Sequence, residues 1–116
     1  MQTKFEVLGI NGIASVHQID LDPTPSFAQL STIVNPFLQV KGKPEAFLEH
    51  VRVLYEGEYV SMFVDDMGAL KKLPVNKAAT HIYHANLLSR SPAGIDTRDW
   101  PKIHGVAVLF DRNVWF

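Results

Sequence analysis

The chain has 116 residues, a formal net charge of -1 and no cysteine. Hydrophobic residues at 47% argue against intrinsic disorder, and the missing thiols exclude disulfide frameworks, thiolate catalysis, iron–sulfur clusters and thiolate zinc sites. Lys plus Arg (11) nearly balances Asp plus Glu (12), so no global field draws in nucleic acid, and no apolar run approaches the ~20 residues of a membrane span.

Phe5 to Leu21 reads as two strands around a turn at Asn11-Gly12, the residue pair that best tolerates positive φ. The second of these strands, with Val16, Ile19 and Leu21 among polar residues, has the less regular face. Thr24 as cap and Pro25 at the first helical position then open a short helix. Its buried stripe is Phe27, Leu30, Ile33 and Val34, and Asn35-Pro36 is expected to end it. Residues 39–46 form an exposed connection.

Three strands joined by tight turns follow. Val51 to Tyr55 alternates, Glu56-Gly57 turns the chain, Tyr59 to Val64 returns, Asp65-Asp66-Met67-Gly68 turns again, and Leu70 to Leu73 completes a meander. Asn76 caps the best-defined helix, which runs to Leu88. Ala78, Ala79, Ile82, Tyr83 and Asn86 fall on one face of it, and Lys77, His81 and His84 on the other. Residues 89–101 read as a polar loop. The chain closes with an apolar strand, Ile103 to Phe110, and the tail Val114-Trp115-Phe116. A strand apolar at successive positions predicts a central place with cover on both sides. The expected architecture is one α+β domain over 1–116: a mostly antiparallel sheet of five or six strands with two helices packed on it.

Chemistry-bearing residues are sparse. His81 and His84 lie three apart on a helix, but two imidazoles beside Lys77 do not complete a metal site. Asp65-Asp66 resembles a magnesium site in outline, yet aspartates leading into a glycine turn are better explained by turn chemistry. No nucleophile elbow or glycine-rich phosphate cradle occurs, Ser61 lies inside a strand, and the basic pairs lack interleaved aromatics for a nucleic-acid platform. Neither a catalytic residue, a metal ligand set nor a cofactor is assigned. Asn86 stands in the buried arc, where its amide needs partners. Arg112 is expected to pair with Asp111, Asp65 or Asp66.

Met62-Phe63-Val64-Asp65-Asp66-x-Gly68, Leu73-Pro74-Val75-Asn76-x-x-Ala79-Thr80-x-Ile82-Tyr83 and Gly105-x-Ala107-Val108-Leu109-Phe110-Asp111 together resemble a family of short uncharacterised proteins of bacteriophages, plasmids and genomic islands. The resemblance covers about residues 50–116. It implies an accessory protein of mobile DNA inside a bacterial cell, with no activity or site residue to carry over.

The leading expectation is therefore a small cytoplasmic binding protein. Its partner is another protein or a second copy, because the tail at 114–116 needs cover. Nucleic acid and membrane are not expected partners. The alternative is a small metal- or nucleotide-dependent enzyme using Asp65, Asp66, His84 and Arg112 around a pocket near residues 89–101. Asp65, Asp66, Asn86, Arg112 and His84 are the candidate binding residues.

Overall fold

Two hairpins and one late strand build a five-stranded antiparallel sheet in the computed structural model, which describes residues 1–96, 98 and 100–115. The elements are β1 (Gln2–Gly9), β2 (Gly12–Asp20), α1 (Phe27–Leu38), β3 (Leu48–Tyr55), β4 (Glu58–Asp65), α2 (Lys77–Ser89) and β5 (Ala107–Phe110). The spatial order is β2-β1-β5-β4-β3. The last strand thus enters between the hairpins and joins them. All four of its residues are buried. Side chains alternate across the sheet, so Val108 and Phe110 meet α1 while Ala107 and Leu109 meet the α2 layer. The expected α+β arrangement, with a central closing strand covered on both faces, is the one observed.

Glu56 and Gly57 turn the β3–β4 hairpin with φ of 53° and 86°, the positive pair that a two-residue turn of this hand requires. The first hairpin turns one residue earlier than expected. Gly9 pairs with Gly12, so Ile10 and Asn11 occupy the turn and only Gly12 takes positive φ. Val7 faces Ser15 while Leu8 faces Ile13, which leaves Ala14 as the extra residue of a bulge. That insertion accounts for the irregular pattern of β2.

Other boundaries differ from expectation too, and the last strand begins at Ala107 instead of the expected Ile103. Ser26, not Thr24, caps α1, because Ser26 and Gln29 bond each other's backbone N–H reciprocally. The helix also runs past Pro36 to Leu38. Pro36 forfeits a backbone bond and crowds the preceding turn, at a cost of about 3 kcal/mol, and burying Leu38 at about 1.5–3 kcal/mol offsets it. Residues 70–73 form turns instead of a strand. Lys71 N–H bonds Met67 O, Lys72 N–H bonds Ala69 O and Leu73 N–H bonds Gly68 O, so local partners satisfy the backbone and leave Leu70 exposed. Gly68 is required within that turn, since a Cβ there would lie 2.5 Å from His104 O.

The C-terminal tail finds its cover within the chain. Val114 is fully buried, and Trp115 meets Phe27 of α1 edge-on with ring centroids 5.4 Å apart. Phe116 lies outside the described residues. The expectation that the tail needs a second copy for cover loses its basis for Val114 and Trp115. Among the described residues no helix is long and apolar enough to cross a membrane.

Candidate functional site

Of the five residues singled out from sequence only Asp65 and Asp66, adjacent at the end of β4, border a common cleft. Asp65 closes β4, and its carboxylate is buried. Oδ1 accepts the N–H groups of Phe47 and Met67, and Oδ2 accepts Lys71 Nζ, itself buried and bonded to Glu45 O. Burial alone would push this carboxyl up, but the Lys71 and backbone bonds outweigh it and hold it below the ordinary value. Asp65 is thus the clamp of the 65–71 turn, as turn chemistry predicts.

Asn86 reaches the open edge of β3. Its Oδ1 accepts Leu54 N–H and its Nδ2 donates to Arg52 O, so one side-chain amide replaces a neighbouring strand. Arg112 pairs with none of its three expected partners. It donates to Thr3 Oγ1 and to the carbonyls of Pro23 and Asp22, tying the C-terminal segment to the chain that follows β2. His84 holds Pro101 O at 2.7 Å and meets the Trp100 ring. These contacts leave Asn86, Arg112 and His84 with structural work and no common concavity.

Asp66 differs. It stands just beyond β4 and lines a cleft of about 240 Å³ bounded by the ends of β3 and β4, by α2 and by residues 101–104. Glu49 on β3, Tyr83 on α2, and Lys102 and His104 share that cleft. The carboxyl groups of Glu49 and Asp66 stand together at the exposed mouth of this cleft. The Asp66 carboxyl beside it, as hydrogen-bonding neighbour and as charge, together with partial desolvation, raises Glu49 from 4.5 to about 7. His104 Nδ1 lies 2.8 Å from Leu73 O. A carbonyl only accepts, so Nδ1 is the donor in this contact and Nε2 has no part in it. Among the described residues no basic side chain forms an ion pair with Glu49 or Asp66, and no group of three His, Asp or Glu is placed to hold a metal.

Glu49, Tyr83, Lys102 and His104 are absent from the residues that sequence reasoning selected. One signal for Glu49 was available. A turn at Glu56-Gly57 fixes the hairpin register, so Leu48 faces Asp65 and Glu49 faces Val64, on the strand end that carries Asp66. Nothing local in sequence brings residues 101–104 to the same place.

His50 and Ser61 form a second suggestive pair, with Nε2 and Oγ 2.8 Å apart. Ser61 Oγ donates to Asn113 Oδ1 and accepts Val114 N–H, so it must also accept from His50. Ser61 is completely buried. Its hydroxyl has no free lone pair for attack, and the pair anchors the tail. This agrees with the absence of a nucleophile elbow.

Glu49 sets an expected pH response. An acid whose folded pKa is raised contributes stability that is complete below its ordinary value and disappears as pH rises through about 7. The thermal midpoint should therefore fall between pH 5.5 and 8.5 more steeply in the natural chain than in Asp66→Asn, which removes the charge facing Glu49. Equal slopes in the two proteins, measured by differential scanning calorimetry, would refute the influence of Asp66 on Glu49.

Set against known proteins, the chain matches no family model, no curated protein and no solved structure.

Proposed function

We propose that the chain is a small binding protein whose ligand seats in the cleft between the β3–β4 end, α2 and residues 101–104. One observation carries the reading: Glu49 and Asp66 line one cleft with no ion-pair partner among the described residues, while Tyr83, Lys102 and His104 line the same space. Two neighbouring carboxyl groups without a basic partner gain when a donor group of a ligand comes between them. Opposite charges lining one cleft suit a small polar molecule that carries both donors and acceptors. The resemblance of residues 50–116 to short proteins of phages, plasmids and genomic islands supports an accessory role in mobile DNA. A cytoplasmic place and a host or mobile-element partner belong to that same reading.

A small enzyme is the second reading, favoured by the carboxyl of Glu49. A group with a pKa of about 7 beside a second carboxyl is matched to general acid–base work at neutral pH. In that case the working pair is Glu49 and Asp66, in place of the Asp65, Asp66, His84 and Arg112 expected from sequence.

The test is thermal unfolding at pH 7 with magnesium, manganese, nucleotides and amino acids, for the natural chain and for Asp66→Asn. A ligand at a hundred times its dissociation constant adds about 2.7 kcal/mol, a rise of roughly 10 °C for a domain of this size. A shift that Asp66→Asn abolishes supports the cleft. A shift retained in the variant, or none with any class, favours a module that works only through its protein surfaces. Conversion of a stabilising compound, followed by mass, separates enzyme from binder.

A further inference from the structure

The two edges of the sheet are treated differently. Asn86 plugs β3, whereas β2 is open. Leu21 N–H donates to Met1 O, which sets the register in which Ser15, His17 and Ile19 turn their amides toward β1. By alternation Val16 and Gln18 turn their N–H and C=O groups outward. Exposed edges are normally guarded by lysine, proline or other charges. In residues 12–20 the one carboxylate is Asp20, at the strand end and paired with the N-terminal ammonium, no Lys, Arg, Glu or Pro occurs, and Val16 is 60% exposed.

A second cleft, of about 210 Å³, begins at Val16 and crosses the sheet face toward the β3–β4 turn. Its floor includes Val60 and Leu109, and its walls carry the carboxylates of Glu6, Glu56, Glu58 and Asp111 against the single ammonium of Lys4. Glu6 Oε2 is shut off from water and has no hydrogen-bond partner. A carboxylate oxygen in that state gains most from a cation, and an apolar floor suits the aliphatic stem of an arginine or lysine.

We propose that β2 accepts an added strand from a basic segment of a partner protein, and that an arginine or lysine of this strand lies across Val16 with its head at Glu6. The open backbone groups supply affinity, and the acidic cleft selects the side chain. A second copy does not fit the role, since its own β2 would bring no Lys or Arg to the cleft. None of the residues involved belongs to the Glu49–Asp66 cleft, so the two sites stand or fall separately.

The probe is an end-blocked peptide alternating arginine and threonine, compared with its glutamate counterpart and with methylguanidinium alone. Binding is read by fluorescence anisotropy and by amide exchange. The arginine peptide should slow exchange at Val16 and Gln18 at least tenfold and weaken steeply with salt. Glu58→Lys, an exposed change, should reduce its affinity about tenfold. Val16→Pro should abolish binding without disturbing the β1 ladder, because the N–H it removes points outward. Equal binding of the glutamate peptide, equal affinity for methylguanidinium, or unchanged exchange at Val16 and Gln18 would each overturn the proposal. Should Val16→Pro fail to fold, full affinity in Glu58→Lys would still overturn it.

Discussion

Asn76→Ala is expected to lower stability by about 3–5 kcal/mol, a cost larger than that of an ordinary helix cap. Asn76 is completely buried and uses both ends of its amide. Oδ1 accepts Ala79 N–H and caps α2, while Nδ2 donates to Leu8 O on β1 and to Gly105 O before β5. Alanine removes the cap and leaves two buried carbonyls short of a donor. Aspartate is the diagnostic comparison. It caps as well as asparagine on an exposed helix, but here it would aim a carboxylate at two carbonyl oxygens. Asn76→Asp should therefore be at least as unstable as Asn76→Ala. With a urea slope of about 1–3 kcal/mol per molar, the midpoint should fall by at least about 1 M in either variant. An aspartate variant as stable as the natural chain would show that Asn76 acts only as a cap.

The consequence extends to the cleft. Asn76 N–H bonds Ile103 O, Gly105 N–H bonds Pro74 O, and Val75 bridges His104. Residues 74–76 and 103–105 are therefore stitched together at the start of α2. That seam holds the wall carrying Lys102 and His104 against Tyr83. Loss of Asn76 should loosen the cleft before it unfolds the sheet, because the hairpins contribute their own ladders.

The cap at Asn76 was legible in sequence, as were the turn at Glu56-Gly57 and the doubly covered β5, since each rests on local conformational preference or an unbroken apolar run. Residues 70–73 misled because their apolar ends look like a strand, while the bonds that fold them into turns come from residues 67–69. Pro36 misled because a local rule about helix ends was overridden by burial of Leu38. The role of Arg112 was out of reach. Its partners Thr3, Asp22 and Pro23 lie about ninety or more positions away, and no pattern along the chain encodes that meeting. The same holds for the cleft, where register alone places Glu49 near Asp66 but only the tertiary fold adds Tyr83, Lys102 and His104.

Lys71→Met is expected to cost about 3–5 kcal/mol, the penalty of breaking a buried ion pair from one side. Both side chains are almost wholly buried, at 7% and 3% exposure for Lys71 and Asp65. Without the ammonium, Asp65 keeps the N–H groups of Phe47 and Met67 but loses its only counter-charge. The double variant Lys71→Met with Asp65→Asn should be more stable than Lys71→Met alone, since it removes the stranded charge together with its lost partner. The sign with pH follows from the same geometry. Asp65 is held below its ordinary value of 3.8, so its share of stability is present above about pH 4 and is lost as pH falls through the lower folded value. In Lys71→Met a protonated Asp65 no longer carries an unpaired charge. The gap between the natural chain and this variant should accordingly narrow as pH drops from 7 to about 3. A gap that stays constant over that range, measured by urea unfolding, would mean that Lys71 stabilises the turn through its bond to Glu45 O and its packing, with the charge on Asp65 irrelevant.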